Sequence, residues 1–188
     1  AIISPLSISS LLKSLKKEDK FVVIYAGRIG PFQDLGRVLL AAKMLRNSDV
    51  VFLILGEGEE KESLIKQAKE WALKNVIFID HQPWKFMPFI INLADVCLLP
   101  LRPHPLLHVA LPKKFFEYAA CGKPIIAFCP EGEVSRLVRK WDAGIHVNPE
   151  RPNQLAEAVK RLSMNRAEVR RMGENARTMV ETEFSLTR

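Results

Sequence analysis

The chain has 188 residues, of which 48% are hydrophobic and 26% are charged, and these proportions are typical of one well-cored globular domain rather than of a disordered chain. The formal net charge of +7 at pH 7 favours an anionic partner, such as a phosphorylated ligand, a nucleic acid or an anionic membrane surface. Near the C-terminus, basic residues alternate with acidic ones and lack interleaved aromatic residues. We therefore expect no nucleic-acid partner.

Cysteine usage and hydropathy predict a cytoplasmic protein. Cys97, Cys121 and Cys129 form no CxxC pair and lie in or beside apolar runs, which indicates buried, reduced thiols. No uncharged segment approaches the ~18 residues that a membrane span requires, and the N-terminus lacks a signal-peptide pattern. Peripheral contact with an anionic membrane is left open by the basic charge.

Short apolar runs alternate with segments of helical period along the chain. The predicted strands are Phe21 to Tyr25, Val50 to Leu55, Val76 to Ile79, Val96 to Leu99, Pro124 to Phe128 and Ile145 to Val147. The segments between them, and two after the last strand, have helical spacing. This alternation predicts an α/β fold, with a doubly wound, Rossmann-like parallel sheet of about six strands and helices on both faces. One domain is expected over 1–188, with an N-terminal segment over 1–20 and a C-terminal helix and tail over 165–188.

Ligands of such sheets bind at the carboxyl ends of the strands, so the residues that follow each strand carry the functional information. The turn over 56–61 reads Gly-Glu-Gly-Glu-Glu-Lys and has Lys61 where a dinucleotide fingerprint needs its third glycine, so a nicotinamide oxidoreductase is not expected. The turn over 27–30 is no P-loop, because no Gly-Lys-Ser/Thr follows it. It carries Arg28, whose guanidinium is a permanently charged, forked donor.

A second candidate region is the helix predicted to open at Pro112. Lys113 and Lys114 lie in its first turn, where basic residues oppose the helix dipole unless an anion binds there. Glu117 lies four residues after Lys113 and three after Lys114, and its carboxylate can accept hydrogen bonds from both hydroxyls of a ribose. The alternative is that one of the two lysines pairs with Glu117 on the surface.

This helix resembles the donor-site helix of the retaining glycosyltransferases of family 4, which have the two-domain GT-B fold. Over 112–124 the sequence follows the family's form Pro-x-Lys-x-x-Glu-Tyr-x-Ala-x-Gly-Lys-Pro. The segments 25–28, 53–58 and 94–100 are similar to the family's first strand and basic loop, its Gly-acid-Gly turn and its Ala-Asp-Val…Pro strand, in the same order.

The resemblance implies that the chain is the C-terminal, nucleotide-sugar-binding half of such an enzyme, and that an N-terminal acceptor domain lies outside it. It implies catalytic roles for Arg28, at the donor diphosphate, and for Glu117, at the ribose hydroxyls. It also implies that no metal or other cofactor is needed. Further donor contacts are expected from residues around these two, namely Gly27, Gln33, His108, Pro112, Lys113, Lys114 and Glu133.

Two departures from the family's pattern leave alternatives open. Gln33 stands where many members have a second basic diphosphate contact, and Val109 stands where many have a paired glutamate. A catalytically degenerate scaffold or regulatory domain of the same fold is therefore one alternative. A nucleotide-sugar epimerase domain, which shares the two-domain architecture, is another.

Two further pairs of residues have two interpretations each. Glu131 and Glu133 either approach the donor sugar or simply open the helix that follows the fifth strand. Trp84 and Phe86 either stack near a nucleobase or, as their helical spacing favours, pack in the core.

Overall fold

The computed structural model describes residues 5–105 and 109–185. Its strands are β1 (Phe21–Ala26), β2 (Val50–Leu55), β3 (Val76–Ile79), β4 (Val96–Pro100), β5 (Ile125–Phe128) and β6 (Gly144–Val147). Its helices are α1 (Pro5–Lys17), α2 (Leu35–Met44), α3 (Lys61–Glu70), α4 (Met87–Leu93), α5 (Lys113–Ala120), α6 (Glu133–Lys140), α7 (Pro152–Ser163) and α8 (Arg166–Glu183). Single 3-10 turns, Pro31–Gln33 and Trp84–Phe86, precede α2 and α4.

All six strands form one parallel sheet in the order β3-β2-β1-β4-β5-β6. The predicted doubly wound α/β fold is confirmed. The strand order reverses between β1 and β4, so the chain leaves these two neighbouring strands in opposite directions and opens a crevice at their carboxyl ends.

Helices cover both faces of the sheet, which is why β1, β2 and β4 are apolar and buried at nearly every position. Alternate residues of β1 point into two separate cores. Val22 and Ile24 pack with residues of α1, α4, α5 and α6, whereas Val23 and Tyr25 pack with residues of α2, α3 and α7.

The boundaries of two predicted elements differ in detail. Pro112 has an extended ψ of 142° and occupies the N-cap of α5, one position before the helical site predicted for it. The helix predicted to begin around Phe86 begins at Met87, and Trp84 and Phe86 belong to the preceding 3-10 turn, because Pro88 suits only the first turn of an α-helix.

Candidate functional site

The turns after β1 and β2 are in direct backbone contact at the carboxyl edge of the sheet. Gly56 has a φ of 148°, and a Cβ on it would lie 1.8 Å from the carbonyl oxygen of Gly27. The Ile29 amide donates to the Glu57 carbonyl at 2.8 Å. The turn after β2 therefore supports the loop over 27–30, and only glycine fits at its closest point.

Arg28 lies in this loop and pairs with Glu59 of the neighbouring turn. Its Nη2 is 3.2 Å from Glu59 Oε1, and its side chain remains 74% exposed. Two hydrogen bonds lower the pKa of the Glu59 carboxyl: the larger effect comes from the backbone amide of Glu59 itself, and the next from Arg28. Local spacing does not predict this pair, although the acidic run over 57–60 is a signal for it.

α5 begins close to the same loop, and its first two residues contact different partners. Lys113 Nζ lies 3.4 Å from Glu117 Oε1, and the Lys113 side chain is 90% exposed. Lys114 Nζ instead donates to the Tyr25 hydroxyl at 3.0 Å and lies 4.3 Å from the centre of that ring. The surface pairing with Glu117 therefore describes Lys113 and not Lys114.

Two tyrosines join α5 to the end of β1. The Tyr25 hydroxyl donates to the Arg28 carbonyl oxygen. The Tyr118 hydroxyl accepts from the Ala26 amide at 2.9 Å and faces the Ala26 carbonyl at 3.2 Å. Both rings are buried, so these bonds tie the loop of Arg28 to the helix of Glu117 at one edge of the sheet.

The remaining predicted donor contacts are placed less closely together. Gln33 ends the first 3-10 turn, and its amide donates to the Gly30 carbonyl at 3.1 Å. His108 lies outside the described residues. Glu133 opens α6 and forms an ion pair with Arg136 one turn later.

Glu131, just before α6, lies in a separate charged cluster. Arg139 donates to it from Nη1 at 2.9 Å, and His146 Nδ1 is 3.5 Å from its Oε1. The bond from Arg139, followed by that from Ser135, lowers the pKa of Glu131 to about 2. This carboxylate is therefore held in a fixed, ionised position beside β6.

A groove of about 550 Å³ runs between α4 and α5. Trp84, Met87, Pro88 and Ile91 form one of its walls, and Glu117 lies on the other. Trp84 is 83% exposed, so the core packing expected for it is wrong. Its place in the turn before α4 directs it away from the core. Phe86 packs against the core as expected.

Two further features, a metal site and a membrane-spanning helix, concern the described part of the chain as a whole. No group of three or more His, Cys, Asp or Glu side chains is arranged there to hold a metal ion. Within residues 5–105 and 109–185, none of the helices has the length and apolar character that crossing a bilayer requires.

Solved structures with the same arrangement of strands and helices have the GT-B fold class. The Anabaena protein HepE, solved with UDP and glucose, superposes with a TM-score of 0.79 at 21% identity, over 97% of this chain and 49% of that one. The C-terminal domain of LpcC from Francisella tularensis, a glycosyl transferase group 1 family protein, gives a TM-score of 0.75 at 16% identity, over 93% of each chain. The fold is therefore the Rossmann-like fold of this class.

The family follows from the sequence itself. The family model described as Glycosyl transferases group 1 matches residues 10–179, and the chain belongs to that family. Alpha-D-kanosaminyltransferase of Streptomyces kanamyceticus is 31% identical over 177 residues, which cover 90% of this chain and 43% of that enzyme. The putative colanic acid biosynthesis glycosyl transferase WcaI of Escherichia coli is 28% identical, over 76% of this chain and 35% of that protein. The chain thus spans less than half the length of these relatives.

Proposed function

We propose that this chain is the C-terminal, donor-binding half of a retaining family 4 glycosyltransferase, which transfers a sugar from a nucleoside diphosphate to a glycan or lipid acceptor. The observation that carries the proposal is the meeting of the Arg28 loop and the first turns of α5 at the reversal point of the sheet. The relatives' names and the UDP bound by HepE support it. The acceptor would bind a preceding N-terminal domain, as in a two-domain enzyme.

In this proposal, Arg28 binds the donor diphosphate. Transfer breaks the bond between the anomeric carbon and the diphosphate, and the electron pair stays on the departing oxygen. The acceptor oxygen bonds to the anomeric carbon on the face that the diphosphate leaves, and its proton passes to the departing diphosphate oxygen. A permanently charged guanidinium stabilises the charge that develops on the leaving diphosphate, and the reaction needs no metal ion or other cofactor.

The nucleoside would occupy the groove beside α5. Glu117 accepts from the ribose hydroxyls, and its present partner Lys113 is exposed enough to move aside. Trp84 stands on the opposite wall with most of its indole accessible, so it offers a stacking surface for the base. Aromatic stacking of this kind tolerates different bases.

Calorimetric titration of the 188-residue chain with UDP, GDP and ADP, and with their sugar conjugates, tests donor binding directly. We expect saturable binding of at least one nucleoside diphosphate and no turnover by the isolated chain, because the acceptor half is needed for transfer. Absence of saturable binding by every nucleotide would overturn the proposal.

A scaffold or regulatory domain of the same fold is the second candidate. It is favoured by Gln33, which brings no charge to the loop, and by Val109, whose apolar side chain is 78% exposed where many members have a glutamate. Transfer of radiolabelled sugar by a chain that also carries the acceptor domain separates the two functions. A folded two-domain protein without transfer would support the scaffold.

A further inference from the structure

The Lys114 ammonium is partly buried at the edge of the sheet, where Tyr25 is the side chain that it contacts. Its Nζ donates to the Tyr25 hydroxyl at 3.0 Å and lies over the Tyr25 ring. Burial lowers its pKa to about 8, and the charge of Glu117 only partly opposes this effect. In the described part of the chain, the Tyr25 hydroxyl is its hydrogen-bond acceptor. Two of its three protons therefore remain available.

The acceptor role of Tyr25 is fixed by a second bond. The phenolic proton goes to the Arg28 carbonyl oxygen, so the same oxygen can only accept from Lys114. The Tyr25 hydroxyl thus links the ammonium to the backbone carbonyl of Arg28. It is not neutralised by a carboxylate, since Glu117 pairs with Lys113.

Gly27 makes room for this ammonium beside the backbone of the loop. A Cβ on Gly27 would lie 2.6 Å from Lys114 Nζ and 3.2 Å from the Tyr25 hydroxyl. A side chain at this position would displace the ammonium. Because glycine has none, the ammonium lies against the loop at Gly27, the residue next to Arg28.

We propose that Lys114 supplies the second positive charge of the donor diphosphate site, in place of the basic residue that the loop after β1 lacks at Gln33. This inference rests on the proposed donor-binding function. Arg28, which is largely exposed, and Lys114, which lies beside Gly27 of the same loop, bind the same pyrophosphate. Lys113, whose ammonium pairs with Glu117 in the unliganded chain, is not part of this contact.

The test compares ligands with and without a diphosphate. The 188-residue chain is titrated with UDP, GDP and ADP. The diphosphate that binds most tightly is then compared with its own nucleoside, and both titrations are monitored by NMR. Lys114→Met keeps the length of the side chain and removes the charge. We expect a loss of tenfold or more in affinity for the diphosphate and a change of less than twofold for the nucleoside.

Lys66→Met is the matched control. Lys66 is 80% exposed on α3 and lies 3.9 Å from Glu70, so its replacement removes one positive charge far from the Arg28 loop. We expect unchanged affinity for both ligands. Equal losses for the diphosphate and the nucleoside in Lys114→Met would show a merely structural effect and overturn the inference.

A measurement on the unaltered chain covers the case in which Lys114→Met does not fold. Binding of the same diphosphate near pH 8.5, in two buffers of different ionisation enthalpy, should show net proton uptake, because a bound anion favours the charged ammonium. The ionisable groups that act on Lys114 are Tyr25 on β1 and Glu117 on α5; burial raises the pKa of the Tyr25 phenol. No proton uptake would overturn the inference.

The outcomes also separate this inference from the function on which it rests. If the unaltered chain binds none of the nucleotides, the donor-binding function itself is wrong. If it binds a diphosphate and Lys114→Met binds it equally well, donor binding stands and only the role of Lys114 is wrong.

Discussion

Arg28 and Glu59 form an ion pair across the two turns that follow β1 and β2, with Nη2 3.2 Å from Oε1. The pair holds the guanidinium at the carboxyl edge of the sheet while leaving it largely exposed. A diphosphate that binds Arg28 must compete with this carboxylate or share the guanidinium with it. The pair therefore lowers the affinity of the loop for an anion.

Replacing Glu59 with glutamine should strengthen the binding of nucleoside diphosphates. The amide keeps the shape of the carboxylate and removes a negative charge near the proposed phosphate position, so we expect an increase in affinity of roughly two- to fivefold, the scale of an exposed ion pair. Calorimetry with the tightest diphosphate measures the change. Weaker binding by Glu59→Gln would show that Glu59 positions Arg28 rather than competing for it.

Glu117→Ala should weaken the binding of a nucleoside diphosphate by more than about 1 kcal/mol, because hydrogen bonds to a charged group are lost. The 2′-deoxynucleotide serves as the matched ligand. It should bind the unaltered chain more weakly than the ribonucleotide does, and Glu117→Ala should bind the two about equally. An unchanged affinity would leave Glu117 as a surface partner of Lys113.

Trp84→Ala should lower nucleotide affinity by about 1–3 kcal/mol, the usual contribution of one aromatic–base stack. The free energy of unfolding should change by less than about 0.5 kcal/mol, since the side chain is exposed. Fluorescence offers a second readout: the indole should be quenched by a bound nucleotide in the unaltered chain and not in Trp84→Phe. Equal quenching in both would place the base elsewhere.

Lys114 should make folding stability depend on pH above neutrality. Its pKa is about 8 in the folded chain, against an ordinary value of 10.5, so between these two values the unfolded chain binds more protons than the folded one. The free energy of unfolding contributed by this group therefore rises with pH through that window. Urea unfolding at pH 7.5 and pH 9.5 should show a larger rise in the unaltered chain than in Lys114→Met. Parallel changes in the two proteins would contradict the lowered pKa.

Much of the fold was predictable because a parallel sheet buried on both faces leaves a direct pattern in the sequence. The runs that begin at Phe21, Val50 and Val76 are strands in the structure, since continuous apolar segments closed by glycine or polar residues suit such strands. Because ligands of such sheets bind at the carboxyl ends of the strands, the sheet pattern also predicts the edge at which the site lies.

The contacts within the candidate site were less predictable. Arg28 and Glu59 are 31 residues apart, and Lys114 and Tyr25 are 89 apart. Such pairs depend on which strands are neighbours and on which side of α5 each lysine leaves the helix, and neither is encoded in local spacing. The helical spacing of Trp84 and Phe86 favours core packing over base stacking, but a 3-10 turn changes the direction of the Trp84 side chain.

The close approach of Gly56 to the Gly27 carbonyl means that main-chain contacts between the two turns support the Arg28 loop without any side chain of the groove. Side chains in the groove between α4 and α5 can then be exchanged without shifting that loop. Selectivity among nucleobases and affinity for the pyrophosphate can therefore change independently. A redesign confined to Trp84 and Met87 should alter which nucleotide binds most tightly and leave the position of the Arg28 loop unchanged.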